Sequence, residues 1–383
     1  MTRFFTERFA DVTTPCYYYD LDLLNRTLNE VKRATRDPRY KIHYAIKANA
    51  NPGILRPIEQ AGLGIDCVSG YEIAMALEAG FDPSKIVFAG VGKSDPEILM
   101  ALNAGIGCFN VESEPELRII SEMAVKLGKT ATVAIRVNPN IDAHTHKYIT
   151  TGLSENKFGI NLEMLPAIVD LARSLPGVEL SGLHFHIGSQ ITESEPWMLL
   201  CETVNRLQDE YRAKGITFRT INVGGGLGID YADPERHPIP DFETYFNTFH
   251  HHLHLGADQE LHFELGRSIV AQCGSLITRV LFVKEGTTKR FAIVDAGMTD
   301  LIRPALYNAH HKIENISNPS GQSMRYDVVG PICESSDIFG EDEMLPEVHR
   351  GDLLALRSAG AYGEVMASNY NCRPLPGCVF SAD

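Results

Sequence analysis

From Ile42 to Glu264 the chain alternates short apolar runs with stretches of helical periodicity. Ile42, Tyr44 and Ile46 repeat every second residue, as one face of a buried strand does, and Asn51-Pro52-Gly53 then breaks the pattern. Gly64-Ile65-Asp66-Cys67-Val68 precedes an amphipathic helix over Glu72–Ala79 closed by Gly80. Lys85–Ala89 precedes Pro96–Ala104 closed by Gly105, and Gly107–Val111 precedes Glu114–Leu127 closed by Gly128. A glycine just past each helix supplies the usual stop. Strand starts near 42, 64, 86 and 107 are spaced by 22, 22 and 21 residues, a regular βα period.

The alternation continues with strands over Thr132–Val137, Leu180–His186, Thr220–Val223 and Glu260–Glu264. Helices over Leu162–Ser174, Glu195–Ala213 and Phe242–Leu255 lie between them. Eight such strands without a hairpin signal predict a (β/α)8 TIM barrel. An open doubly wound sheet would carry a phosphate fingerprint after its first strand, where this chain has Lys47. Beyond Ser268 the runs Leu276–Val283, Arg290–Val294, Tyr326–Val329 and Asp352–Leu356 are β-rich with little helical period. The expected organisation is a barrel over 26–267 and a C-terminal β-barrel or sandwich domain over 268–383. The N-terminal segment 1–25, with Cys16-Tyr17-Tyr18-Tyr19, adds a strand to the β domain.

Composition narrows the function classes. A net charge of −14 without a basic patch argues against a nucleic-acid partner. No apolar run reaches bilayer length, so no membrane partner is expected. The eight cysteines contain no Cys-x-x-Cys pair, and Met1–Arg8 carries no apolar leader core, so a reduced cytoplasmic protein is expected.

Active sites of such barrels sit at the C-terminal strand ends. Polar or glycine residues recur there: Lys47, Asp66, Asn110, Arg136, His186, Gly224 and Glu264. A lysine at the barrel mouth is costly to bury as an ammonium, and becomes reasonable if its amine forms a Schiff base, the usual way of holding pyridoxal phosphate. A lysine merely ending a strand is the bland alternative. Strand seven runs into Gly224-Gly225-Gly226-Leu227-Gly228, which is not a dinucleotide fingerprint because position 229 is isoleucine. Successive glycines let backbone N–H groups turn onto an anion, at the place where these barrels bind phosphate; a purely structural turn would look the same. Glu264 at the end of strand eight suits a pyridinium partner, and a salt bridge to Arg267 is the alternative. His184 and His186 share one strand face. With no third ligand at a compelling spacing no metal is expected, and ring packing on a cofactor suits His186 better. His250, His251, His252 and His254 are expected at the surface.

These residues, with His184–Gln190, Glu264–Arg267, Met298–Tyr307, Cys333-Glu334-Ser335 and Ala359–Gly363, closely resemble the fold-type III pyridoxal-phosphate-dependent decarboxylases. Within them the chain is most similar to the branch acting on diaminopimelate, and the resemblance spans nearly the whole length. It implies pyridoxal 5′-phosphate bound through Lys47, with His186 stacked on the ring and Glu264 at the ring nitrogen. Ser189, Gly224, Gly225, Gly226, Gly266 and Tyr362 would hold the phosphate, with Asp66, Arg136, Leu265 and Arg267 completing the cofactor set. It implies Cys333 as proton donor, acting in the partner subunit's site across a homodimer with shared sites. The small-molecule substrate would be meso-2,6-diaminopimelate, converted to L-lysine and carbon dioxide in the last step of lysine biosynthesis. Arg267, Arg303, Tyr307, Glu334 and Tyr362 would receive its distal amino-acid head, which ornithine lacks.

Two departures stand out. Leu265 occupies a position where the family commonly has proline, and a little more β domain is expected after Cys378 than this chain carries. The long connection Asn138–Ile160, with Asp142, His144, His146 and Lys147, is expected to form a lid. Alternative functions are a decarboxylase of ornithine, arginine or carboxynorspermidine, a racemase of the same fold, and a non-catalytic pyridoxal-phosphate carrier. A racemase would want a neutral ring nitrogen, against which Glu264 speaks.

Overall fold

The computed structural model describes residues 6–9, 11–141 and 157–381. The chain divides into two compact units, one built from Leu28–Gly228 and Asp241–Gly266, the other from Met1–Thr27, Ile229–Pro240 and Arg267–Asp383. The segment Ile229–Pro240, which follows the glycine turn of strand seven, therefore groups with the β-rich residues and not with the barrel to which its sequence position assigned it.

The first unit is a closed barrel of eight parallel strands: Tyr40–Ala45, Gly64–Cys67, Ile86–Phe88, Cys108–Val111, Ala131–Asn138, Val178–His184, Thr220–Asn222 and Glu260–Leu265. Each pairs with the next, and the eighth returns to the first with Glu264 opposite His43 and Leu265 opposite Tyr44. Both faces of these strands are covered, so they read as near-continuous apolar runs.

Helices follow where polar caps meet apolar stripes. Ser69 and Ser113 accept from the backbone at the starts of Gly70–Glu78 and Glu114–Lys126, and Glu97 reaches back to the Ser94 N–H ahead of Asp95–Ala104. The pattern reading passed over several helices, among them Leu21–Ala34 and Pro52–Gln60. The second begins at the Asn51-Pro52-Gly53 breaker: Asn51 caps the Gly53 N–H at 2.9 Å and Pro52 takes the first helical position, where its missing N–H costs nothing. A turn signal was in fact a helix start.

The eighth strand is clamped from outside. Phe246 and Phe249 of the helix Phe242–His252 meet Phe263 edge-on with ring centroids 5.0 and 5.2 Å apart, and Trp197 packs on Tyr245 at 4.8 Å. Successive strand residues face opposite ways, so the outward Phe263 fixes the inward direction of Glu264.

In the second unit the strands Ile313–Asn315, Leu353–Leu356, Gly274–Glu285, Arg290–Val294, Ser323–Val329 and Ile338–Pro346 lie side by side in that order. Neighbours are antiparallel except Arg290–Val294 with Ser323–Val329. Cys16–Tyr19 joins as expected, antiparallel to Gly274–Ile277 and parallel to Gly377–Phe380. The unit is not purely β: short helices span Arg267–Val270 and Arg303–Tyr307. Among the described residues no helix is long and apolar enough to cross a membrane, and no cysteine is disulfide-bonded.

Candidate active site

The barrel's C-terminal strand ends converge on Glu264, which is buried. One carboxylate oxygen, Oε1, accepts from Asn222 Nδ2 at 2.8 Å and from Asn110 Nδ2 at 3.1 Å; the other, Oε2, lies 3.1 Å from His184 Nε2. Burial alone would favour the neutral acid, but the adjacent His184, His186 and Lys47 outweigh it and hold Glu264 well below the usual carboxylate range. Asp66, at the end of strand two, moves the other way: burial and the Glu264 charge push it well above its ordinary value. Two carboxyls on one barrel face are thus driven apart in protonation, the signature of divided acid–base roles.

Asn222 ties this acid to the glycine turn. Its Oδ1 accepts from the Gly224 N–H at 2.9 Å, an Asx turn made by the same side chain that donates to Glu264. Gly224 and Gly226 adopt φ of +70° and +108°, and a Cβ at Gly225 would collide with the Glu264 carbonyl. Glycine is therefore required at this bend, which brings backbone close to the carboxylate strand. His186 Nδ1 accepts from the Gly225 N–H at 3.3 Å, which sets its ring beside the turn.

Lys47 lies in the single helical turn Ile46–Ala48 after strand one and is exposed, not buried. The expected desolvation of its ammonium therefore does not arise in the chain as it stands. Arg136 is buried and donates from Nη1 to Glu112 Oε1 at 2.9 Å, and Glu112 also accepts from the Gly90 and Gly159 N–H groups. Ser189 is half-buried. Leu265 is fully buried and sits in ladder register with Tyr44 of the first strand.

The remaining expected residues lie in the second unit. Arg267 and Arg303 are both buried, with guanidinium carbons 5.0 and 6.0 Å from the Tyr362 ring centre and 5.8 and 5.4 Å from that of Tyr231. Tyr307 faces Arg303 at 5.7 Å. Burial lowers the pKa of Arg303 from its ordinary value. Cys333 and Glu334 are exposed on another stretch; the Cys333 N–H donates to Asn371 Oδ1 and Tyr370 Oη donates to Glu334 Oε1 at 2.9 Å. The lid residues Asp142, His144, His146 and Lys147 lie outside the described residues. The histidines 250, 251, 252 and 254 are exposed.

His184 is more than a core residue: its Nε2 is a partner of the Glu264 carboxylate. Asn222, Glu112, Tyr231 and His311 were not singled out from sequence. For Asn222 a signal existed, an asparagine two residues ahead of a glycine bend. The others became visible only through contacts distant in sequence.

The donor set fits pyridoxal phosphate. Asp66 Oδ1 is buried without a hydrogen-bond partner among the described residues, at the face that also carries Lys47, an ionised glutamate and a glycine cradle. Residues 21–271 match the family model described as "Pyridoxal-dependent decarboxylase, pyridoxal binding domain". The chain is 57% identical to a diaminopimelate decarboxylase of Bacteroides thetaiotaomicron over 97% of its own length and 96% of that protein. Against one from Vibrio cholerae the identity is 46%, covering 94% and 86%. The crystal structure of diaminopimelate decarboxylase from Helicobacter pylori complexed with L-lysine superposes with a TM-score of 0.93 at 43% identity, covering 98% of this chain and 94% of that one. A lysine-bound enzyme of the same name from M. jannaschii gives 0.89 at 36% identity, covering 98% and 88%. With the barrel, the glycine bend and the ionised glutamate in place, these likenesses decide the family: the chain belongs to the pyridoxal-dependent decarboxylases, among the diaminopimelate decarboxylases.

Proposed function

We propose that the protein decarboxylates meso-2,6-diaminopimelate to L-lysine and carbon dioxide with pyridoxal phosphate as cofactor. The observation that carries this reading is the ionised, three-fold hydrogen-bonded Glu264 on the barrel face that also holds Lys47 and the glycine bend. When bound, the cofactor supplies an electron sink for the carbon that loses its carboxylate. The chain's own residues do the rest. Lys47 offers the amine that anchors the cofactor's aldehyde. The Gly224–Gly226 backbone, with Ser189 and Gly266, would receive the phosphate, a role the resemblance also gives to Tyr362. Glu264 would keep a proton on the ring nitrogen, its carboxylate held charged by His184, His186 and Lys47 and aimed by Asn110 and Asn222. His186 would cover the ring, Asp66 and Arg136 stand at ends of the same barrel's strands, and Leu265 and Arg267 belong to the cofactor set that the resemblance implies.

Specificity is assigned to the second unit. Arg303 and Arg267 offer planar forks to the distal carboxylate, Tyr307 and Tyr362 add hydroxyls, and Glu334 receives the distal ammonium. Cys333 delivers the proton that replaces carbon dioxide. Its exposure, with that of Glu334, supports a homodimer in which each copy completes its partner's site.

Incubating purified protein with meso-diaminopimelate and measuring carbon dioxide and lysine tests the reading. Lysine should form, and Lys47→Ala should abolish both turnover and the visible absorption of bound cofactor. Cofactor-loaded protein that yields no lysine would point to a carrier. Ornithine turned over as fast as diaminopimelate would remove the role given to Arg303.

A further inference from the structure

Arg303, buried in the second unit, is met by groups that carry no charge. Among the described residues no carboxylate pairs with Arg303. Its Nε donates to His311 Nε2 at 3.3 Å, and its other close neighbours are the ring faces of Tyr231, Tyr307 and Tyr362. Arg267 donates from Nη1 to Tyr231 Oη at 2.5 Å. Tyr231 thus touches both guanidiniums, and its ring meets His311 edge-on, centroids 5.2 Å apart at 79°.

The protonation of His311 follows from donor and acceptor chemistry. Its Nδ1 lies 2.9 Å from the Arg357 carbonyl, which only accepts, so Nδ1 carries the hydrogen. Arginine Nε only donates, so His311 Nε2 must present its lone pair. The ring is fully buried, and burial together with Arg303 pushes its pKa down to about 3, in keeping with that neutral tautomer. A neutral imidazole and a phenol orient the two cations without cancelling their charge. A carboxylate in either place would have satisfied the forks internally and left them nothing to bind.

We propose that His311 and Tyr231 are positioning residues: His311 holds Arg303 in place with its charge uncompensated for the distal carboxylate of the substrate, and Tyr231 orients the neighbouring Arg267. This rests on the function proposed above and adds to it the two side chains that set the arginine geometry. Neither touches the reacting carbon, so their loss should weaken recognition of the carboxylate and leave the chemical step nearly intact.

The test compares ligands that differ only in that group. L-Lysine retains the distal carboxylate and 1,5-diaminopentane lacks it. His311→Leu removes the acceptor, whereas His311→Gln can accept from Arg303 and donate to the Arg357 carbonyl. For His311→Leu we expect the KM for meso-diaminopimelate and the inhibition constant of L-lysine to rise about 10- to 100-fold, the range set by losing a hydrogen bond to a charged group. The inhibition constant of 1,5-diaminopentane should stay within about twofold, kcat should change little, and His311→Gln should recover most of the loss. Should His311→Leu fail to fold, Tyr231→Phe carries the same comparison, since it keeps the ring and deletes only the hydroxyl on Arg267. Equal weakening of L-lysine and 1,5-diaminopentane, or a loss confined to kcat, overturns the inference while the function stands. A wild-type protein inactive on meso-diaminopimelate overturns both.

Discussion

Asn222 is the sharpest place to test the barrel's electrostatics, because one side chain serves two partners. Its Nδ2 donates to Glu264 Oε1 at 2.8 Å and its Oδ1 accepts from the Gly224 N–H at 2.9 Å. Asn222→Ala removes both. Losing a bond to an ionised group costs about 1.5–3 kcal/mol, and stranding a buried N–H costs about 1–3 kcal/mol. Asn222→Asp separates the two effects. It keeps an acceptor for Gly224 but sets a second carboxylate against Glu264. At ~3 Å and an effective dielectric of ~20, two such charges repel by about 5 kcal/mol, so the pair takes up a proton and Glu264 loses its dedicated charge. Measured as lysine released from meso-diaminopimelate, kcat/KM should fall about 10- to 150-fold in both variants, the kinetic equivalent of about 1.5–3 kcal/mol. An Asn222→Asp enzyme within threefold of wild-type kcat/KM would refute the idea that activity depends on an ionised Glu264 held by this amide.

Two further outcomes follow from the same geometry. His43 is buried, with Nδ1 3.2 Å from the Lys85 carbonyl and Nε2 3.0 Å from His262 Nδ1, and burial followed by His262 pushes its pKa down to about 3. Between the ordinary histidine value and that point the unfolded chain binds a proton that the folded chain does not. Stability should therefore drop as pH falls through this window, by about 2 kcal/mol from pH 7 to pH 5 for this residue. Urea midpoints across that range should show it, and an undiminished slope in His43→Asn would contradict the assignment. The proposed shared-site dimer makes a second forecast: mixing and re-equilibrating inactive Lys47→Ala and Cys333→Ala should restore about a quarter of wild-type activity, since half of the dimers would be mixed and each would have one intact site. A mixture that stays inactive would place each complete site within one chain.

Much of this molecule is local in origin and so was readable along the chain. The barrel follows from a βα period near 22 residues together with strands apolar on both faces, features that any stretch of a few dozen residues carries by itself. Lys47, Gly224–Gly226 and Glu264 were identifiable because barrel chemistry collects at strand ends, a position that depends only on where a strand stops. Local reading failed where one signal had two meanings. Asn51-Pro52-Gly53 looks like a turn until its asparagine is seen to cap the helix Pro52–Gln60. What tertiary structure alone decided is the state of each charged group. Glu264 is held ionised by His184, His186 and Lys47 and aimed by the amides of Asn110 and Asn222, all of them distant from it along the chain. Arg303 keeps an unspent charge because His311, fixed by the Arg357 carbonyl 46 residues on, can only accept from it. Protonation answers to burial and to neighbours within a few ångströms, and those neighbours are chosen by the fold, not by adjacency in the chain.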